Sequence, residues 1–263
     1  MTFPEKERVI YESNPLRQVL CQVRFPAILQ IGSEIPAAFQ NRVRRTYPIY
    51  HENKETGQFP EEIASILERF SPVKRAEGIH HTFGTHSGER TITLHPDFVA
   101  FEDKQYEQWE TFSEQFKLAR ESLEEIYSPD SYTRIGLRYK DVIDRAELGL
   151  GNEPWGKLLN RSLTGIVGDD EIGQKVQKDI SITTIALDEV AGAIVTLRHG
   201  LTIIEEEEEQ SQVYVIDSDF FIAERREKDD VAEILAHFNR AARNLFRWAI
   251  TDRLHQALGP TGL

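Results

Sequence analysis

The feature that most constrains this chain is a repeat within it. Asp97–Tyr127 aligns with Asp219–Ala249 at an offset of 122 residues without a gap, and six of the 31 positions are identical. The identities are Asp97/Asp219, Phe98/Phe220, Glu102/Glu224, Phe116/Phe238, Ala119/Ala241 and Leu123/Leu245. The shared apolar register is the stronger signal. Trp109, Phe112, Phe116, Ala119, Leu123 and Ile126 correspond to Val231, Ile234, Phe238, Ala241, Leu245 and Trp248. Steps that alternate between three and four residues draw one stripe down an α-helix. Each half is therefore expected to close with a strand and then a long amphipathic helix, at about Gln105–Tyr127 and from about Lys228 into the 250s.

Between the two copies lies Ser131–Ile143, SYTRIGLRYKDVI. Ile135, Leu137 and Tyr139 alternate with Arg134, Gly136, Arg138 and Lys140, the period of a half-buried strand. A weaker version stands near the start, where Val19, Cys21, Val23 and Phe25 alternate with Leu20, Gln22 and Arg24. Arg24-Phe25 matches Arg138-Tyr139. The chain thus divides into two α+β halves, 1–130 and 131–263, each a strand, helix, antiparallel strands and long helix. No long flexible linker separates them, so they are expected to pack as one unit, with curved antiparallel sheet on one side and the long helices on its other face.

The remaining elements follow from local signals. Ser33-Glu34-Ile35-Pro36 has the form of a helix start, with Ile35, Phe39 and Val43 as its apolar side. Residues 48–60 read as irregular, and Pro60–Phe70 as a short helix broken by Ser71-Pro72. Ile79–Thr85 and Arg90–His95 form a hairpin, followed by a strand at Phe98–Glu102. In the second half, Trp155, Leu158 and Leu159 mark a short helix, and Asp169–Lys178 a second helical piece. Strands are expected at Ile180–Leu187, Ala191–Arg198, Leu201–Glu205 after a turn at Gly200, Val213–Asp217 and Asp219–Ala223.

A chain of 263 residues with 40% hydrophobic and 10% aromatic residues can bury a sizeable core. Its net charge of −13 argues against wholesale binding to nucleic acid or acidic membranes, leaving only a local basic patch for nucleic acid. The single cysteine, Cys21, excludes an internal disulfide and a cysteine-based zinc cluster. It lies on the apolar side of its strand and reads as inert. The N-terminus has no apolar signal core and no long apolar run exists, so a cytoplasmic protein without membrane attachment is expected.

As a set, Asn14-Pro15-Leu16 before Val19, Val23-Arg24-Phe25, Tyr106 and Trp109, Arg134-Ile135-Gly136-Leu137-Arg138-Tyr139, and Ile216-Asp217-Ser218-Asp219 carry a resemblance. The chain resembles a sporadically distributed bacterial family of conserved hypothetical proteins, over nearly its whole length. Where that family has an asparagine soon after the Arg-Tyr pair, this chain has Lys140-Asp141. The family has no established activity, so the resemblance carries over no catalytic residue and no cofactor. Its patchy distribution implies genes that move between bacteria, as those of defence islands do.

No P-loop, dinucleotide fingerprint or nucleophile elbow is present. The most informative surface is the outward face of the sheet. Pairing Thr85 with Arg90 sets His80 opposite His95, Thr82 opposite Thr93 and Gly84 opposite Thr91, away from the apolar side. Arg24, Arg134 and Arg138 also point away from it. A face carrying Arg, His and Thr can bind an anion or a protein partner, or can simply be solvated. His80, His95 and Asp97 are the candidates for a metal such as zinc; solvated histidines are the plainer reading. Glu205–Glu209 reads as a solvated loop rather than a cation site, and Asp217 and Asp219 as a structural turn rather than an acid–base pair. Trp109, Trp155 and Trp248 read as core. The expected function is that of a non-enzymatic accessory protein that binds a protein partner or itself, without a cofactor. The alternatives are a ligand- or nucleic-acid-binding module using the three arginines, and a metal-dependent enzyme.

Overall fold

The computed structural model describes residues 2–54, 79–206 and 209–262. In chain order the elements are β1 (Val9–Tyr11), β2 (Leu16–Arg24), α1 (Leu29–Ser33), α2 (Ala37–Val43), β3 (Ile49–Lys54), β4 (Ile79–Gly84), β5 (Arg90–His95) and β6 (Phe98–Asp103). The long helix α3 (Trp109–Tyr127) and the strand β7 (Arg134–Ile143) follow. Then come α4 (Trp155–Leu158), α5 (Arg161–Thr164), β8 (Ser181–Ala186), β9 (Ile194–Glu206), β10 (Glu209–Ile222), the second long helix α6 (Val231–Ala249), α7 (Asp252–Ala257) and β11 (Pro260–Gly262).

Nine strands form one antiparallel sheet in the order β3-β4-β5-β6-β2-β7-β10-β9-β8, and β1 pairs with β11 in a small second sheet. The fold is α+β, as its sequence patterns predict. The halves meet at the β2–β7 seam, where Val19 lies opposite Tyr139, Cys21 opposite Leu137 and Val23 opposite Ile135. On the central strands, Val19, Cys21, Val23, Ile135, Leu137, Ile216 and Phe220 are buried against the helices. Helix α3 lies over β6, and α6 over β7 and β10. Phe101 and Phe112 meet at 5.0 Å between ring centroids, and Phe220 and Phe238 at 6.3 Å. No helix among the described residues is long and apolar enough to cross a membrane.

The two long helices confirm the repeat. Each has 19 residues, and both begin and end at positions 122 apart. Phe112, Phe116, Ala119 and Leu123 are buried in one, Ile234, Phe238, Ala241 and Leu245 in the other. The same alignment slips in the strands. Phe98 stacks on His95 on the face away from the helices, whereas Phe220 packs under α6. Successive strand residues alternate faces, so a shift of one residue between strand and helix reverses every side chain.

Several local expectations are corrected. Residues 49–54 are strand β3, edge-paired to β4, where the sequence reads as irregular. Ser33 ends α1 rather than opening α2, and Ile35 is exposed between them, although Phe39 and Val43 are fully buried. The helical piece at 169–178 is reduced to a 3-10 turn at Gly173–Lys175, with another at Gly165–Gly168. The helix at 60–70 lies outside the described residues. Gly200 and Ser218 do not interrupt their strands: β9 and β10 run on as 13 and 14 residues. The glutamate run falls at the β9–β10 connection, with Glu206 paired to Glu209 and positions 207 and 208 outside the described residues.

Candidate functional site

The residues singled out from the sequence share one face of the sheet, opposite the helices. The β4–β5 register pairs Thr82 with Thr93 and Gly84 with Thr91. At the centre, Arg24 is paired with Arg134, and Arg138 lies two pleat repeats further along β7, beyond Gly136. Burial of alternate residues explains the arrangement: once Ile135, Leu137 and Tyr139 go under the helices, Arg134 and Arg138 must stand on the other side.

None of these arginines is an open anion site. Arg134 grips Asp219 with one nitrogen at 3.1 and 3.0 Å from the two oxygens and lies over the Phe221 ring at 4.5 Å. Arg138 makes a two-point contact with Asp217, Nε and Nη2 at 2.6 and 2.5 Å. These hydrogen bonds donated to Asp217, outweighing burial, raise the Arg138 pKa further. Arg198 approaches Asp217 as well, at 3.9 Å. Arg24 lies 3.9 Å from Asp97 and 5.8 Å from the Phe98 ring centroid. A phosphate would have to displace a carboxylate from Arg134 and Arg138, giving up charge-assisted hydrogen bonds already formed. Asp217 and Asp219 are thus mid-strand partners of β7 arginines, not a structural turn. Their carboxylates meet guanidiniums on the neighbouring strand, which leaves the local backbone in its ladder.

The histidines separate into distinct environments. His95 is hydrogen-bonded to Asp97 and stacked on Phe98. Burial pushes the Asp97 pKa up, but the His95 hydrogen bond and the His95 and Arg24 charges leave it lowered overall. His81 is buried on the helix side, bridging Tyr50 Oη and the Ile31 carbonyl at 3.0 Å each. The Ile31 carbonyl can only accept, so Nε2–H donates to it, and in the neutral ring Nδ1 accepts from the Tyr50 hydroxyl. His80 pairs in register with Asn53 on β3. Among the described residues, no three His, Cys, Asp or Glu side chains gather as a metal site requires.

On the other side of the sheet a cleft of about 140 Å³ opens between the two long helices. Its floor is Tyr139 and Asp141 of β7 and Ser218 of β10; its walls include Tyr106 and Trp109 at the start of α3 and Asn239, Arg243 and Phe246 of α6. Residues 8–11 and 14–16 close one side. The Asn14 side chain accepts from the Leu16 N–H at 3.0 Å, and the Pro15 carbonyl accepts from Val142 N–H at 2.8 Å. These bonds hold the Asn-Pro-Leu segment against β7. Tyr139 donates to Asn239 Oδ1 at 2.9 Å, tying floor to wall. Members of the sequence segments at 14–16, 106–109, 134–139 and 216–219 thus come together around one cavity.

Asp141 is the exceptional group. It is 7% exposed, and no hydrogen bond or ion pair from a described residue reaches its carboxyl. Burial, with a smaller contribution from Asp217, pushes its pKa up to about 8. Around it, burial also raises Tyr106 and Tyr11 to about 12. At the mouth, Arg8 is clamped by both oxygens of Glu110 at 2.7 Å. Arg243 has its Nε buried without an acceptor among the described residues, and burial together with the Arg8 and Arg240 charges lowers its pKa.

The sequence reading missed Asp141 and Ser218 as site residues, yet both left a signal. In the alternation Ile135, Leu137, Tyr139, Asp141, Ile143, one carboxylate stands in an otherwise apolar register. Ser218 does the same between Ile216 and Phe220. Comparison with known protein families and with curated proteins returns no match for this chain.

Proposed function

We propose that this is a binding protein whose ligand site is the cleft between the two long helices. The observation that carries the reading is Asp141: a carboxyl on the floor of a cavity, in a residue 7% exposed, with no hydrogen bond or ion pair from any described residue. Such a carboxyl has lost most of its hydration without gaining a protein partner, which leaves its polar atoms for a group that enters the cleft. A concave site with convergent polar groups and a perturbed carboxylate is where a ligand is sought first. The cavity holds only a small molecule or one end of a larger one.

The test is thermal stability of the protein with fractions of a bacterial metabolite extract. At least one fraction should raise the melting temperature by several degrees, as a ligand well above its Kd does. Ala242→Phe, which fills the cleft from α6, should remove that rise while leaving the unliganded protein folded. If no fraction stabilises the wild type, or the variant responds equally, the cleft is not the site.

A second reading rests on a separate observation. The helix-free face carries Arg134 and Arg138, held by hydrogen bonds to Asp219 and Asp217, with Arg24 and Arg198 each 3.9 Å from an aspartate. Ordered arginines lose little conformational freedom on meeting a protein surface, which suits docking of a protein partner or a second copy. This face also contains Lys140, an amine available for lysine-directed cross-linking. Cross-linking in a cell lysate is expected to join Lys140 to a partner peptide or to its own counterpart, with Lys140→Glu abolishing the complex. Partner cross-links confined to the helical side would exclude docking on this face.

A further inference from the structure

We propose that the cleft takes a small zwitterion of the amino-acid or betaine type, its ammonium seated against Asp141 and its carboxylate on Arg243. The inference rests on the cleft being the ligand site and adds the chemistry of what enters it.

Two groups of opposite charge lining this cavity have no hydrogen-bond or ion-pair partner among the described side chains, although the Glu5 charge acts on one of them, Arg243, from outside ion-pair distance. Asp141 lies on the floor, 7% exposed, with no ion pair to a described residue. Arg243 lines the same cavity from α6, with its Nε buried and unsatisfied. They do not satisfy each other: neither a hydrogen bond nor an ion pair joins them among the described residues. The other guanidinium lining the cleft, Arg8, is spoken for by Glu110. One acid and one cation are therefore left for a ligand carrying both complementary charges.

The walls favour an ammonium near the floor. Tyr106 and Tyr139 lie edge to face at 6.0 Å, and Trp109 and Phe246 line the same space. Aromatic faces attract cations, above all alkylammonium groups shielded from water. Size agrees. A cavity of about 140 Å³ is close to the ~150 Å³ engineered cavity that holds benzene, and well below the ~300 Å³ at which drug-sized pockets begin. A purely anionic molecule would bring no cation to pair with an ionised Asp141, and a purely cationic one would bring no anion to Arg243.

Binding is linked to protons. Asp217 lies behind Asp141, Tyr139 shares its strand and Tyr11 approaches from the wall, while Arg8, Tyr106, Glu107 and Arg243 line the same cleft. With the carboxyl protonated in the empty cleft at pH 7, an arriving ammonium makes the ionised form the better partner. The Asp141 proton then leaves to solvent: one O–H bond breaks, and the carboxylate keeps the electron pair.

The experiment is calorimetric titration at pH 7 with glycine and glycine betaine, and with acetate and tetramethylammonium as single-charge fragments. It is run in two buffers of different ionisation enthalpy. At least one zwitterion should bind saturably, each fragment should bind at least tenfold more weakly, and the buffers should reveal proton release. Asp141→Asn and Arg243→Gln should each weaken binding at least tenfold, and proton release should vanish in Asp141→Asn. Arg243→Lys, which keeps the charge, should recover part of the affinity and guards against a folding defect in Arg243→Gln. Failure of both zwitterions overturns the assignment, as does affinity unchanged in Asp141→Asn or a fragment binding as tightly as the zwitterion. If Ala242→Phe still blocks stabilisation by an extract fraction while both zwitterions fail, the cleft stands as the site and only its ligand class falls.

Discussion

Replacing Asp141 with asparagine is expected to stabilise the unliganded protein, and to do so most at alkaline pH. The carboxyl has a folded pKa of about 8, against an ordinary value of about 4 once the chain unfolds. Below pH 4 both states hold the proton and the group is neutral in its effect. Between about 4 and 8 the unfolded chain loses the proton while the folded one keeps it, so the unfolded state gains roughly 1.4 kcal/mol for each pH unit. Above 8 the penalty is complete, on the order of 5 kcal/mol. Asparagine does not titrate, although its amide must still be desolvated in the cleft. Urea denaturation at pH 5, 7 and 9 checks this directly. The gain should be small at pH 5 and reach a few kcal/mol at pH 9. A difference between variant and wild type that does not change with pH would mean that Asp141 has a partner which keeps it ionised.

Gly200→Ala is expected to be among the most damaging single-methyl changes in the chain. Gly200 sits within β9 at a φ of 152°, and a Cβ there would stand 1.9 Å from the Asp179 carbonyl oxygen and 3.0 Å from Ile180 Cα. Both neighbours are backbone, and they cannot swing aside as a side chain would. The segment is further pinned by the Asp179 N–H, which donates to the Leu201 carbonyl at 3.0 Å. Relief requires the approach to β8 to lift from the sheet edge. The cost is set at about 3 kcal/mol or more by the backbone conformation and the clash together. Thermal unfolding of the variant is the measurement, with a loss below about 1 kcal/mol showing that the edge yields easily.

The same glycine shows why local reading of strands falls short. A glycine in a run of strand residues signals a turn, a bulge or a close approach of another chain segment. Only the position of Asp179 decides among them. Ser218 between two aspartates is a similar case. Asx side chains bond turn backbone when nothing better is near, but Arg138 and Arg134 on β7 are nearer, and the strand continues. The edge strand β3 was hidden because its polar residues face solvent, so its extended state comes from pairing with β4 rather than from apolar alternation. The slip between Phe98 and Phe220 arises in the connections before the long helices, whose stripes keep their own register whatever the strands do.

The candidate sites divide along similar lines. That Arg24, Arg134 and Arg138 share a face follows from period-two alternation alone. That each is met by an aspartate depends on β10 and the β5–β6 turn lying beside them, which no local pattern encodes. Asp141 was visible as a charge out of register; its meaning was not, because the cavity is assembled from residues near 10, 106, 140, 218 and 243.

What the sequence by itself determined is periodic: the two matching helices, the half-buried strands, the α+β class and the sidedness of the arginines. These follow from backbone geometry and the separation of apolar from polar side chains, which act within a few residues. What only the tertiary structure decided is adjacency: the joining of both halves in one nine-stranded sheet, the arginines met by aspartates and the cleft around a buried Asp141 that no described residue pairs with. Those depend on which distant segments come within hydrogen-bonding reach, where burial and charge pairing act across the whole chain.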